Sequence, residues 1–265
     1  MEKIFYGTNQ NQFGELLLPE GEGPHPVAIV IHGGFWRKRV TLERMRKAAQ
    51  DLTASGIATW NIEYRRTGQE GGGWPGTLID AANASDYIRT LSKSYPLDLN
   101  KVVTIGHSAG GHLATWIAAR HRIAKDSELF IEDPISILGT VSLAGVNDLE
   151  MMHGVHHYRD KVLSREPDNP TAELIGGSPE EYPTRYKHAS PVELLPIGVH
   201  QTLIHGALDI HVPIGISDHF HREAESAGDS VKYVNLLTAE HLMLTNTTSP
   251  AWPTVKEEVL LLVNN

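Results

Sequence analysis

Cysteine is absent from the whole chain, and with it go disulfides, thiolate zinc sites and cysteine nucleophiles. No apolar run approaches the roughly 18 residues that a membrane-spanning helix requires. Residues 1–13 lack the basic start and apolar core of a secretory leader. Positive charge is in the minority: 23 Lys and Arg stand against 32 Asp and Glu, a net charge of −9. A polyanion therefore meets general repulsion, and nucleic-acid binding is set aside. Low-complexity stretches are missing too. With 40% hydrophobic and 21% charged residues over 265 positions, the composition is that of a globular chain able to bury a real core. Together these absences predict a soluble, cytoplasmic enzyme or binding protein that meets a small molecule, and they leave its oligomeric state open.

What is present alternates. Residues 27–31 form a short unbroken apolar run rich in β-branched side chains, the pattern of a strand buried on both faces. Residues 41–55 follow with apolar positions at helical spacing, Thr41 as N-cap and Gly56 as the residue that ends the helix. Further strands are expected at 57–62, 101–105, 141–143, 202–205 and 231–237, with helices at 78–91, 109–120, 214–227 and 254–263. Such alternation specifies an α/β fold with a mostly parallel central sheet and helices on both faces. Residues 4–18 suit an antiparallel hairpin at its edge, broken at Gly14. The whole, 1–265, reads as a single domain. Residues 150–199, rich in Pro, Gly, His and charge, break the rhythm. They read as an insertion at the carboxyl edge of the sheet, a lid or pocket wall.

Chemistry concentrates at Gly106-His107-Ser108-Ala109-Gly110, a G-x-S-x-G sequence placed directly after a strand and directly before a helix. A serine hydroxyl is a poor nucleophile until a base removes its proton, so a histidine must lie close in space. In chains with such a strand-to-helix elbow the nucleophile is followed by an acid after a late strand and a histidine after the last one. His241, beyond the strand at 231–237, fits the base. Asp209, after the strand at 202–205, fits the acid that orients it, with Asp148 as the rival. The developing oxyanion needs amide donors. Ala109, at a helix start, supplies one; Gly34 and Phe35 in His32-Gly33-Gly34-Phe35-Trp36 supply two more. Trp36 and His107 beside these donors are candidate substrate-binding residues. His153, His156 and His157 lack a Glu-x-x-His frame, so neither a metal nor a cofactor is expected. His219, His221 and Glu223 are expected to decorate a solvated helix face.

Six segments, His32-Gly-Gly-Phe-Trp36, Glu63-Tyr-Arg65, Gly106-His-Ser-Ala-Gly-Gly-His-Leu113, Ala189-Ser-Pro191, Gly206-Ala-Leu-Asp209 and Glu240-His241, resemble the successive landmarks of the esterase/lipase and prolyl-oligopeptidase-like branch of the α/β-hydrolases. The resemblance runs through most of the chain. It implies the α/β-hydrolase fold, an Arg65–Asp80 ion pair behind the site, and carboxylic-ester hydrolysis as the commonest activity. Kynurenine formamidases and feruloyl-type esterases are among the similar proteins. Phe35 stands where hormone-sensitive-lipase-like members usually carry a third Gly, and no propeller domain like that of the oligopeptidases is expected. The expected reaction is hydrolysis of a small carboxylic ester through an acyl-enzyme formed on Ser108. Arylformamidase action on N-formyl arylamines is the alternative. A catalytically silent binding protein on the same fold is the alternative of another class.

Overall fold

Side-chain alternation decides the layering. In the computed structural model, which describes residues 2–264, Val27, Ile29 and Ile31 join one apolar core and Ala28 and Val30 the other, all five fully buried. A strand apolar on both faces is stable only between two helical layers. Met1 and Asn265, the ends of the expected single domain, lie outside the described residues.

The chain runs β1 (Glu2–Phe5), β2 (Phe13–Leu17), β3 (His25–Ile31), α1 (Arg46–Thr53), β4 (Ala58–Ile62), α2 (Gly76–Asp86), α3 (Ile88–Leu91), β5 (Leu97–His107) and α4 (Ala109–Ala119). It continues through β6 (Gly139–Leu143), α5 (Leu149–Val162), α6 (Pro170–Ile175), α7 (Pro183–Ala189), β7 (His200–Gly206), α8 (Gly215–Ser226), β8 (Val231–Leu236) and α9 (Trp252–Asn264). The strands form one eight-stranded sheet in the order β1-β2-β4-β3-β5-β6-β7-β8. β1 and β2 are antiparallel; β3 to β8 are parallel. α1 and α9 cover one face, where Met45, Leu52, Trp252 and Val259 pack. α2, α4 and α8 cover the other, with Leu78, Trp116 and Phe220. Truncating a fully buried residue such as Ile29 to Ala would cost about 2–5 kcal/mol.

Three expectations change in detail. Residues 41–55 are not one helix: a 3-10 turn, Leu42–Arg44, precedes α1, and Thr41 makes no side-chain cap. The Leu42 amide donates to the buried carboxylate of Glu63 at 3.1 Å. Gly56 does end the helix, at φ +94°. The edge hairpin forms, but its turn lies at residues 6–12. Gly14 sits within β2 because a Cβ there would stand 2.5 Å from the Trp60 ring. The helix expected over 78–91 starts at Gly76 and divides at Tyr87. Residues 150–199 hold most of α5, all of α6 and α7, and a 3-10 turn. Among the described residues no helix is long and apolar enough to cross a membrane.

Candidate active site

Strand order reverses between β3 and β5, which lie side by side while their successors depart in opposite directions. A cleft opens above such a switch point, at the carboxyl ends of the strands. Ile31 pairs with Gly106 in register, so the His32-Gly33-Gly34 turn and Ser108 emerge together. Ser108 occupies φ 58°, ψ −120°, left-handed backbone that a non-glycine residue adopts only under constraint. The constraint is visible at both flanking glycines. A Cβ on Gly106 would lie 1.9 Å from the Gly110 carbonyl oxygen, and one on Gly110 would lie 2.2 Å from that of Ile31. The Ser108 amide donates to Leu143 O at 2.8 Å, pinning the elbow to β6.

His241 begins the 3-10 turn after β8, and the Glu240 side chain caps that turn by accepting from the Leu242 amide. The loops after β7 and β8 are laced together: Ala207 N–H donates to Leu236 O at 3.0 Å and Leu208 N–H to Ala239 O at 3.0 Å. Gly206 permits this approach, since its Cβ would meet Ala239 O at 2.3 Å. Asp209 Oδ2 therefore receives His241 Nδ1–H at 2.5 Å. Its other oxygen accepts the amides of His211 and Val212, and His205 Nε2 stands 3.3 Å from Oδ2. Burial alone would raise the Asp209 pKa, but hydrogen bonds from His205 and His241 hold it far below the usual carboxylate range. The rival Asp148 is occupied elsewhere. It caps α5 by accepting from Met151 N–H and pairs with His219 at 3.3 Å, so His219 is a bridging residue and not a solvated ornament.

Of the expected oxyanion donors, Gly34 and Phe35 line the same cleft as Ser108. Gly34, Phe35 and Trp36 all have positive φ, of 108°, 53° and 55°. Among the described residues the N–H groups of Gly34 and Phe35 donate to no protein acceptor. Ala109 is the first residue of α4, where amides lack a partner within the helix. Gly33 lies so close that a Cβ would meet Ser108 Cβ at 2.9 Å. Behind this loop stands a network that sequence reading registered only as the Glu63-Tyr-Arg65 landmark. His32 places Nδ1 2.8 Å from Gly33 O and Nε2 2.9 Å from Glu63 Oε1, and stacks on Tyr64 with centroids 4.4 Å apart. Burial would raise the Glu63 pKa, yet His32 and Arg66 lower it. Asp80, fully buried, takes Arg65 in two hydrogen bonds of 2.8 Å, the ion pair that the resemblance implied.

Ser108 and His241 line one cleft of about 370 Å³ together with Gly33, Gly34, Phe35 and His107. His107 is buried and donates from Nε2 to the His241 carbonyl oxygen at 2.9 Å, so it also holds that histidine's backbone. Burial and the neighbouring His241 push its pKa well down. Trp36 is placed differently from the substrate-contact expectation. Fully buried, it donates from Nε1 to His112 Nδ1 at 3.2 Å and does not line the cleft. Its left-handed backbone turns the indole inward. Arg39, Val40, Arg44, His211 and Leu242 complete the wall and were not singled out as site residues. Arg44 and Leu242 lie in short 3-10 turns and the other three outside helices and strands, where an apolar period marks no site. No cleft-lining residue comes from 150–199. That segment braces the outside of the oxyanion turn: Glu173 and Asp168 clasp Arg37, and His156 packs edge-on against Phe35 at 5.4 Å.

Comparison with known proteins agrees with this architecture. The BD-FAE family model matches residues 15–223. Esterase LipC of Mycobacterium tuberculosis is 25% identical over 223 residues, covering 82% of this chain and 53% of its own length. A probable isoprenylcysteine alpha-carbonyl methylesterase of Oryza sativa is 28% identical over 244 residues, 88% of this chain and 55% of its own. This chain thus spans about half the length of those curated relatives. Among solved structures, a truncated carbohydrate esterase from gut microbiota superposes with TM-score 0.79 at 19% identity, covering 99% of this chain and 95% of that one. Butyrate-bound esterase 2 of Thermogutta terrifontis superposes with TM-score 0.77 at 19% identity, covering 99% and 93%. The fold is that of the α/β-hydrolases.

Proposed function

The chain belongs to the BD-FAE family, and from that premise we propose that it is a serine hydrolase cleaving small carboxylic esters through an acyl-enzyme. The observation that carries this reading is Ser108 on a left-handed elbow in a cleft that His241 also lines, with Asp209 bonded to His241 Nδ1. Ser108 Oγ attacks the ester carbonyl while His241 Nε2 takes its proton. The amides of Gly34, Phe35 and Ala109 hold the tetrahedral oxyanion, each such donor being worth roughly 3 kcal/mol. Collapse expels the alcohol, protonated by His241, and leaves an acyl group on Ser108. Water, deprotonated by His241, then releases the acid and restores the serine. Asp209 fixes the tautomer that keeps Nε2 free to accept a proton and stabilises the imidazolium. Every step is assigned to a side chain or amide of this chain.

The names borne by the relatives, an esterase and a methylesterase, support ester over amide substrates. We read residues 1–265 as one domain. Residues 150–199 serve as a buttress of the pocket, a role supported by the Arg37 ion pairs. We place the enzyme in the cytoplasm, on its lack of cysteine. Phe35 and Val40 line the cleft, and on their bulk beside Ser108 we infer a preference for short acyl groups. The test is kcat/KM on acetyl, butyryl and octanoyl esters and on N-formyl arylamines. Acetyl and butyryl esters are expected to be the best substrates, with turnover lost in Ser108→Ala. Preference for octanoyl esters would replace the narrow cleft by an acyl tunnel, and preference for formamides would turn the reading to an arylformamidase.

A further inference from the structure

The wall of the cleft is charged against the sign of the chain. The protein carries a net −9, yet no Asp or Glu lines the cleft, while Arg39 and Arg44 both do. Neighbouring arginines of the same stretch are already taken: Arg37 by Asp168 and Glu173, Arg46 by Glu15 and Glu43. Among the described residues Arg39 and Arg44 have no carboxylate within ion-pair distance. A second hollow, beside α5, has the opposite character, with Asp148, Glu150, Glu180 and Glu193 in its wall. The charged residues in the wall of the candidate active-site cleft are thus two arginines, whereas carboxylates outnumber the single Lys187 in the second hollow. Arg44 is close enough that its charge contributes to the lowered pKa of His107, directly beside the nucleophile.

Arg44 is held in place by the buried frame behind the oxyanion turn. It closes the 3-10 turn that begins at Leu42, whose amide is bonded to Glu63, the carboxylate that also takes His32. The Arg44 backbone therefore stands on the frame that bonds His32, and its exposed side chain lines the cleft. The remaining wall is apolar at Phe35, Val40 and Leu242. A guanidinium offers a planar fork of donors that matches a carboxylate.

Resting on the ester-hydrolase reading, we propose that the substrate is a small ester bearing a carboxylate, with an apolar or aromatic body between that carboxylate and the scissile bond, and that Arg39 and Arg44 bind the carboxylate. The two guanidiniums are specificity determinants: their contact precedes the chemistry and persists through it, so it acts on capture of substrate. Opposite charge at the mouth of a cleft also speeds encounter, and salt screens it.

The carboxylate belongs either to the alcohol or to the acyl part, and matched substrates separate the two. The acetate ester of 4-hydroxybenzoate is paired with that of 4-hydroxybenzamide, and monophenyl succinate with phenyl succinamate. In one pair the wild type is expected to favour the charged member by about tenfold in kcat/KM, the scale of two solvent-exposed ion pairs. That preference should collapse at high salt and in Arg39→Gln/Arg44→Gln. Equal rates for both members of both pairs in the wild type, or a preference that survives the double substitution, would overturn the proposal. Calorimetry with 4-hydroxybenzoate and succinate against their amides reads the site without turnover. If no ester is hydrolysed but an acid binds more tightly than its amide in wild type and not in the double variant, the carboxylate site stands and the esterase reading falls. Equal binding of acids and amides, with no charge preference in turnover, refutes the site.

Discussion

Acid should unfold this protein partly through one buried histidine that does not line the cleft. His112, fully buried on α4, accepts from Trp36 Nε1 at its Nδ1 and donates from Nε2 to Ala189 O at 2.8 Å. The bond from Trp36 requires an unprotonated Nδ1, and burial pushes the ring's pKa from 6.5 down to about 4. The unfolded chain takes up a proton below about pH 6.5, while the folded ring does so only near pH 4. Between these values the unfolded state binds more protons, so stability falls as pH falls. From about pH 8 to about pH 5 the loss from this residue alone is roughly 2 kcal/mol, approaching 3 near pH 4. With a urea dependence of about 3 kcal/mol per molar, the unfolding midpoint should drop by about 0.7 M between about pH 8 and pH 5 on account of His112. His112→Gln keeps a donor and an acceptor but cannot titrate there. Its starting stability will be lower, so the comparison is of slopes: the variant should lose less stability than wild type over that interval. Parallel pH profiles for the two proteins would refute the assignment of a buried neutral imidazole.

Other expectations follow from the same geometry. Asp209→Asn should lower kcat by roughly 10³–10⁴-fold, because the His241 tautomer is lost, whereas Asp148→Asn should leave kcat within a few-fold; the reverse ranking, measured on one ester, would move the acid to the loop after β6. Gly110→Ala places a methyl group 2.2 Å from a backbone oxygen of β3, and is expected to abolish folding or to lower Tm sharply, whereas Gly154→Ala, with open space around it, should change Tm little. Equal thermal unfolding of these two variants would remove the steric account of the elbow.

The fold was legible where physics is local and periodic. Residues 27–31 announce a buried strand because every side chain is apolar, and 101–105 do so through Val102, Val103 and Ile105; the Gly-His-Ser-Ala-Gly elbow is legible because Gly106 answers to a collision four residues away, although Gly110 answers to Ile31. Chain order placed Asp209 and His241 together, and the laced loops after β7 and β8 are why that order suffices. Trp36 was misplaced because its direction depends on left-handed backbone that a sequence pattern does not encode. Glu63 could be seen as a landmark but not as the carboxylate joining His32 to the Leu42 turn, since that contact spans 31 residues. Arg39 and Arg44 carry no sequence pattern that marks them, and only the fold brings them into the wall of the cleft that Ser108 lines. The same folding brought Glu173 to Arg37, a pairing across 136 residues that no local pattern announces.

The central claim is that Ser108 alone carries an activated hydroxyl. A fluorophosphonate reacts only with a serine whose proton can be taken, so incubation with the protein followed by peptide mass spectrometry reads that property directly. A single adduct on the peptide containing Ser108, abolished in His241→Ala and accompanied by loss of ester hydrolysis, is the predicted result. An adduct on another serine, or full ester hydrolysis with Ser108 unmodified, would contradict it.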